Sequence, residues 1–356
     1  MARKLDVSRN SPKAEEVGKT FAEKIVGQPA ATQAFIDTLD KFYGGFHDPN
    51  RPIASLLFLG PTGAGKTVCV ERFVEGLYGS RTNMIKVDCG EFQHSHEVAK
   101  IIGSPPGYLG HRETKPLFTN EKLASYKTYD VPFTVILFDE IEKASDALWN
   151  LLLGILDKAK LMTGTNEVVS FNDCIIAMTS NVGSGEIAQA HGEGIIGFNQ
   201  SEVDLGSKAL NDIAMGAARK KFTPEFLNRF DHIVMFNRLT KDDMTNIVKI
   251  ELEEIRLRLI GGKTPMWLSL SPAAKRHLVD SSYSPRYGAR ELRRIMEREI
   301  LLPLAKAVAT GQIAAYESVT ADYKNEQWDF WVKDAKKRKV ETVFTGTEST
   351  TPTGII

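Results

Sequence analysis

The sequence predicts an α/β fold, in which a parallel sheet with helices on both faces is followed by a small, mainly helical C-terminal domain. Two observations support this prediction. Short apolar runs alternate with helix-length stretches along the first two thirds of the 356-residue chain, a pattern typical of parallel sheets. The first run leads into a glycine-rich loop and then into a helical pattern. Strand, loop and helix in this order are typical of a phosphate-binding unit.

The glycine-rich loop fits the pattern G-x-x-x-x-G-K-[ST]. Its residues are Gly60, Pro61, Thr62, Gly63, Ala64, Gly65, Lys66 and Thr67. Glycines let the backbone N–H groups turn towards phosphate oxygens, while Lys66 supplies a positive charge and Thr67 a hydroxyl for Mg²⁺. The run 55–59 before the loop suits a buried strand. After it, helical spacing relates four apolar residues: Val70, Phe73, Val74 and Leu77. The sequence therefore predicts a nucleotide site.

The large domain is predicted to cover residues 21–237, after a polar leader over 1–20 that we expect to be flexible. Four further apolar runs are predicted to complete its sheet: Met84–Val87, Thr134–Phe138, Cys174–Met178 and His232–Phe236. Ligands of such folds bind at the carboxyl ends of the strands.

A small domain is predicted over residues 238–333, where the helical pattern becomes dominant. Helix starts are predicted at Thr240, at Ser271 and near Ala289. Strand-like segments are predicted at 267–270, 318–320 and 328–332. Residues 334–356 are basic and then rich in Thr, Gly and Ser, which favours a disordered tail.

Composition excludes several classes of function. Lys plus Arg equal Asp plus Glu at 45 each, so no overall basic field favours nucleic acid or an anionic membrane. The three cysteines show no paired spacing, which indicates reduced thiols in the core. No apolar run is long enough to span a bilayer, so we expect a cytoplasmic protein that binds neither nucleic acid nor membrane. His94 and His96 are close in sequence, but no ligand pattern completes a metal set around them.

Two carboxylates, Asp139 and Glu140, directly follow the apolar run that ends at Phe138. Carboxylates at the end of a buried strand are costly unless a cation or a reacting water lies there. Beside a phosphate loop, Asp139 is placed to hold Mg²⁺ through its waters, and Glu140 to polarise an attacking water. The alternative is an ordinary solvated strand end.

Several blocks over residues 21–333 resemble the Clp family of AAA+ unfoldases, most closely the second ATPase ring of the ClpC, ClpA and ClpB type. Besides the phosphate loop they are Ile25–Gln28, Arg51–Ile53, Gly103–Gly110, Phe138–Ala144, Met178–Asn181, Phe222–Arg229 and Tyr287–Arg290. The resemblance implies an enzyme that hydrolyses ATP with Mg²⁺, assembles as a hexameric ring and threads unfolded polypeptide through a central channel.

The resemblance also assigns roles within the nucleotide site. It places Val26 against the adenine ring, makes Asn181 the sensor-1 residue, and makes Arg290 the sensor-2 residue that links nucleotide state to domain angle. Arg229 matches the arginine finger, which enters the site of the neighbouring subunit. Taken alone, Arg229 is more typical of a surface ion pair.

The loop containing Tyr108 and Leu109 is, by the same resemblance, the channel loop that grips the substrate; taken alone, it is typical of a surface turn. A second channel loop is expected at Met162–Glu167. The tripeptide Ile196, Gly197 and Phe198 is either anchored on the domain or exposed for a partner. In ClpC- and ClpA-like unfoldases such a tripeptide docks into the ClpP peptidase.

Two alternatives stay open at this point. One is a disaggregase that works without a peptidase. The other is a nucleotide-dependent assembly switch or scaffold that threads no substrate, against which Tyr108 argues.

Overall fold

The computed structural model describes residues 5–103, 116–190, 207–283 and 288–333. The chain divides into two compact units. The large unit comprises Met1–Glu251 and Leu278–Glu297, and the small unit comprises Leu252–His277 and the chain from Arg298 onward. Within the described ranges, no helix combines the length and apolar character required to span a bilayer.

The strands and helices follow the predicted alternation. The strands are β1 (Ala54–Leu59), β2 (Ile85–Asp88), β3 (Thr134–Asp139), β4 (Lys160–Met162), β5 (Val168–Ser170), β6 (Cys174–Ser180), β7 (His232–Met235), β8 (Trp267–Leu270), β9 (Ser318–Lys324) and β10 (Gln327–Lys333). The helices are α1 (Pro12–Lys24), α2 (Pro29–Tyr43), α3 (Lys66–Tyr78), α4 (Ala99–Ile102), α5 (Asn120–Ser125), α6 (Asp146–Lys158), α7 (Ser184–Ala190), α8 (Ser207–Lys221), α9 (Pro224–Leu227), α10 (Lys241–Ile260), α11 (Pro272–Ser282), α12 (Arg290–Met296) and α13 (Leu302–Ala309). A π-helical turn, Glu297–Leu301, joins α12 to α13.

The central sheet has five strands in the order β2-β3-β6-β1-β7, and its neighbouring strands are parallel. Its three inner strands, β3, β6 and β1, are buried on both faces, because alternate residues pack into two separate apolar clusters. Leu57, Ile136 and Ile176 belong to one cluster, and Leu56 and Val135 to the other. The predicted parallel sheet covered on both faces is thus confirmed.

Residues 12–24 correct the prediction of a flexible leader over 1–20. They form α1. Ser11, the N-cap residue just before this helix, accepts a hydrogen bond from the Ala14 N–H with its side chain. Ala14 and Val17 are fully buried and Phe21 is 3% exposed. Three apolar residues on one helical face thus outweigh a polar, mixed-charge composition, because that face packs into the core.

The boundary between the units differs from the predicted division at 237/238, because residues 238–251 and 278–297 group with the large unit. Thr240 starts α10 as expected: its N–H donates to Asp243 Oδ2 at 2.9 Å, and the Asp243 N–H donates to Thr240 Oγ1 at 3.1 Å. From there α10 continues without a break to Ile260. A continuous helix crosses the boundary, so no linker composition marks it in the sequence.

The small unit contains a three-stranded sheet in the order β10-β9-β8. The pair β8–β9 is parallel and the pair β9–β10 is antiparallel. Ser271 caps α11, since its Oγ accepts a hydrogen bond from the Ala274 N–H at 3.0 Å. The strands and this helix start are therefore present where the sequence predicted them. The predicted tail over 334–356 lies outside the described residues.

Candidate nucleotide site

The phosphate loop connects β1 to α3, which begins at Lys66. All three of its glycines have positive φ: 139° at Gly60, 78° at Gly63 and 96° at Gly65. L-residues with a side chain rarely adopt these angles. At Gly60 a Cβ would also lie only 2.8 Å from the carbonyl oxygen of Phe236. The local backbone therefore requires glycine, and the predicted strand, loop and helix are all present.

Lys66 is buried beneath the loop, at 7% exposure. Its Nζ donates to the carbonyl oxygens of Gly60 at 2.7 Å and Pro61 at 2.9 Å, and to Asn181 Oδ1 at 3.0 Å. Burial lowers the pKa of Lys66 to about 8, although nearby carboxylates, above all Glu142, oppose the shift. A phosphate oxygen is a stronger acceptor for this ammonium than a carbonyl, so the position suits an anionic ligand.

Asp139 ends β3 and faces the start of α3. Its Oδ1 accepts hydrogen bonds from Thr67 Oγ1 at 2.9 Å and from Thr179 Oγ1 at 2.5 Å. Its Oδ2 lies 3.3 Å from the Nζ of Lys86. A carboxylate beside a hydroxyl is a donor set of the oxygen type that Mg²⁺ prefers, with waters completing the shell. Thr67 and Asp139 therefore fit the predicted metal role.

Glu140 has a left-handed backbone, with φ 59° and ψ 50°. Its N–H donates to Thr179 Oγ1 at 3.0 Å, and its carboxylate pairs with Lys143. The other carboxylate oxygen, Oε1, accepts a hydrogen bond from Asn181 Nδ2 at 3.3 Å. The predicted base is thus next to the predicted sensor residue.

Asn181 follows β6 and links the two sides of the site. Its Oδ1 accepts hydrogen bonds from Lys66 and, at 3.3 Å, from Thr62 Oγ1. Its backbone N–H and its Nδ2 both donate to Glu142 Oε1, each at 3.1 Å. The amide is therefore held with its oxygen towards the phosphate loop and its nitrogen towards the carboxylates.

Apolar side chains also line the cleft, and such a lining suits a purine base. They are Ile25, Val26, Leu239, Ile247, Ile250 and Ala289. Arg290 and Arg293 also line the cleft. The turn before Arg290 contacts the phosphate loop directly, since the Ala289 N–H donates to the carbonyl oxygen of Gly63 at 3.3 Å.

Sequence reasoning missed two residues that contact the predicted set, Thr179 and Glu142. Both belong to segments that the sequence had placed at the site, the end of β6 and the turn after β3. The available signal was their position, because polar residues at the carboxyl ends of neighbouring parallel strands converge. Strand order was required to use that signal.

Arg229 is not one of the described residues that line the cleft. Its guanidinium pairs with Asp157 Oδ1 at 2.8 Å and lies 3.8 Å from Glu225 Oε1. Its carbonyl oxygen accepts hydrogen bonds from Arg51 and Ser55. The predicted arginine finger is therefore outside the site of its own chain.

Several predicted sites lie outside the described residues: Tyr108 and Leu109, and the tripeptide Ile196–Phe198. The predicted second channel loop is described and forms the tip of the β4–β5 hairpin. There the Gly164 N–H donates to the carbonyl oxygen of Ile102 at 2.7 Å. This bond joins the hairpin to Ile102, the last residue of α4.

The cysteines and the histidine pair have no place in the cleft. Cys69, Cys89 and Cys174 are buried free thiols, as predicted, and burial raises the pKa of Cys174 to about 12. His94 and His96 stack on each other with ring centroids 5.6 Å apart. No metal-binding cluster of His, Cys, Asp or Glu is found in the described part of the chain.

Two family models match the chain. The "AAA domain (Cdc48 subfamily)" matches residues 51–233, and the "C-terminal, D2-small domain, of ClpB protein" matches residues 239–321. A ClpA homologue from Pyropia yezoensis is 38% identical over 321 residues, which cover 89% of this chain and 37% of the relative. The chaperone ClpB of Mesorhizobium japonicum is 37% identical over 316 residues, which cover 89% of this chain and 34% of the relative. The chain thus spans about a third of the length of these relatives.

Solved structures of Hsp104 share the fold. A closed-state cryo-EM reconstruction with ATPγS and FITC casein superposes with a TM-score of 0.75 at 32% identity, covering 92% of this chain and 53% of that one. The extended Saccharomyces cerevisiae Hsp104–casein complex gives a TM-score of 0.76, also at 32% identity, and the match covers 90% of this chain and 53% of that one. Together with the nucleotide cleft, these matches show that the chain belongs to the Clp family of AAA+ ATPases and corresponds to their second ATPase module.

Proposed function

We propose that the chain binds ATP with Mg²⁺ in this cleft and hydrolyses it. One observation supports the proposal above all: Lys66, Asp139, Glu140 and Asn181 converge at the carboxyl ends of three adjacent strands. Each supplies a different part of phosphoryl-transfer chemistry, which depends mainly on positioning and charge stabilisation.

In the proposed reaction the loop N–H groups and Lys66 hold the β- and γ-phosphates, so Lys66 exchanges its carbonyl acceptors for phosphate oxygens. Thr67 and, through waters, Asp139 would hold Mg²⁺, and the bound ion would supply positive charge to neutralise the phosphates. Glu140 orients the attacking water and accepts its proton, and for this its carboxylate must separate from Lys143. Asn181, beside Glu140, helps to place that water.

The test separates binding from hydrolysis. Lys66→Ala should lose binding of a fluorescent ATP analogue, whereas Glu140→Gln should retain binding and lose phosphate release by at least about 10²-fold. Glu121→Gln, an exposed position on α5, is the matched control and should behave as wild type. Unchanged phosphate release by Glu140→Gln would refute the assigned role.

We further propose that the protein assembles as a hexameric ring and pulls polypeptide past Tyr108. The proposal is supported by the ClpA and ClpB relatives and by the casein in the two Hsp104 structures. The position of Arg229 outside its own cleft also supports it, because a finger residue acts on a neighbour's nucleotide.

We also propose that a ClpP-type peptidase docks through Ile196–Phe198. Experiment decides this point, because ClpA and ClpB relatives match the chain equally well. Phe198→Ala should abolish stimulation of such a peptidase and leave ATP hydrolysis intact. Phe46→Ala, which removes an exposed phenylalanine from the large unit, is the control. Unchanged stimulation in Phe198→Ala would refute this docking role, whereas no stimulation by wild type would favour a disaggregase that works without a peptidase.

A further inference from the structure

The hydroxyl of Thr179 lies between Asp139 and Glu140, with a hydrogen bond to each of them. We propose that Thr179 is a positioning residue for ATP hydrolysis, whose hydroxyl holds Asp139 and Glu140 in a fixed relative arrangement. The inference rests on the proposed ATPase function and adds to it a residue that acts through Asp139 and Glu140.

The sheet register brings Thr179 to this place. In the pairing of β3 with β6, Phe138 lies opposite Met178, so the next residue of each strand, Asp139 and Thr179, meet at the strand ends. Thr179 is 1% exposed. Its side chain is therefore enclosed beneath the cleft.

The hydrogen bonds leave one assignment for the hydroxyl. An ionised carboxylate only accepts and a backbone N–H only donates. Thr179 Oγ1 must therefore donate its hydrogen to Asp139 Oδ1, at 2.5 Å, and accept the N–H of Glu140, at 3.0 Å. One hydroxyl thus bonds to the side chain of the proposed metal ligand and to the backbone of the proposed base.

The backbone of Glu140 explains why this bond matters. Its φ of 59° is in the left-handed region, which is unfavourable for residues other than glycine, asparagine and aspartate. The bond from its N–H to Thr179 stabilises that conformation. In this conformation Glu140 Oε1 lies 3.3 Å from Asn181 Nδ2. Loss of the bond should shift Glu140 away from Asn181 and from the attacking water.

If Thr179 only packed in the core, its hydroxyl could be lost without an effect on hydrolysis. Valine has nearly the shape of threonine, and β6 is apolar from Cys174 to Met178, so valine suits the strand and removes only the hydroxyl. Serine keeps the hydroxyl and removes only the methyl group. The pair of variants therefore separates hydrogen bonding from packing.

The experiment compares Thr179→Val and Thr179→Ser with wild type in the full chain, by phosphate release as a function of ATP concentration. We expect Thr179→Val to lower kcat roughly 10- to 100-fold, as small misplacements of a catalytic group do. Its KM should stay within about threefold, and Thr179→Ser should keep kcat within about threefold of wild type. Thermal unfolding and binding of a fluorescent ATP analogue verify that each variant folds.

Wild-type kcat in Thr179→Val would overturn the inference, and so would a serine variant as slow as the valine variant. If valine prevents folding, Thr179→Ala replaces it, because alanine also lacks the hydroxyl. A wild-type chain that binds ATP but releases no phosphate would instead refute the proposed ATPase function, on which the inference depends.

Discussion

Lys66 is a buried cation surrounded by acceptor oxygens, and this leads to a pH dependence of binding. Burial lowers its pKa to about 8, so the ammonium loses its proton as the pH rises through that value. ATP affinity should therefore be constant below about pH 7 and weaken by up to about tenfold per pH unit well above pH 8. Titration with a fluorescent ATP analogue at several pH values measures this slope.

Lys66→Arg is the control for that slope, because a guanidinium keeps its proton throughout the range. Its affinity should no longer depend on pH above 8. An equal slope in both proteins would place the titrating group elsewhere.

Gly288 is a residue whose replacement should affect the nucleotide site from outside it. A Cβ there would lie 2.5 Å from the carbonyl oxygen of Gly63, and φ is 55°. Gly288→Ala should cost about 1–3 kcal/mol through this clash and weaken nucleotide binding roughly tenfold. Gly311→Ala is the control, because its φ is also positive, at 73°, but no atom lies within 4 Å of the added Cβ. Equal affinity in both variants would contradict the role of this contact.

At the scale of elements, α1 is expected to contribute directly to the stability of the large unit. Phe21 packs with ring centroids 6.0 Å from Phe35 and 6.4 Å from Phe73. Phe21→Ala should lower the free energy of unfolding by about 3–5 kcal/mol, measured by urea denaturation. Leu5→Ala, at a side chain 68% exposed, should change it by less than about 0.5 kcal/mol. Equal stability of the two variants would mean that α1 is not part of the core.

The same helix indicates how far the sequence could predict the fold. The three inner strands of the central sheet, β3, β6 and β1, were predictable because strands buried on both faces are continuous apolar runs. The helix α1 was missed because charged residues such as Lys13 and Glu16 obscure three apolar residues at helical spacing. Its burial depends on partners that are distant in sequence.

The site was predictable where a motif sets the spacing, as it does for Lys66, Thr67, Asp139 and Glu140. Thr179 and Glu142 were not predictable as contacts, because chain order does not reveal that β6 lies between β3 and β1. That order follows from the packing of the whole sheet.

At the scale of the whole molecule, the proposed ring requires that neighbouring subunits share an active site. Arg229→Ala retains a complete cleft but lacks the finger, and Glu140→Gln has the finger but an inactive cleft. Each should lose phosphate release, the first by about 10³-fold, and a mixture of the two should recover activity. Mixing Arg229→Ala with a Glu140→Gln/Arg229→Ala double variant supplies no finger and should recover none. If the mixture of Arg229→Ala and Glu140→Gln recovered no phosphate release, the proposal that Arg229 acts in the site of a neighbouring subunit would be contradicted.

The proposal that the protein threads polypeptide past Tyr108 is tested most directly by ATP-dependent loss of fluorescence from a stably folded, terminally tagged reporter. Wild type is compared with Glu140→Gln and Tyr108→Ala, and with Tyr129→Ala as control, since Tyr129 is a fully exposed aromatic residue. We expect wild type and Tyr129→Ala to unfold the reporter, whereas the other two variants should not. ATP hydrolysis with a reporter that stays folded, and no effect of Tyr108→Ala, would contradict threading and favour an assembly switch.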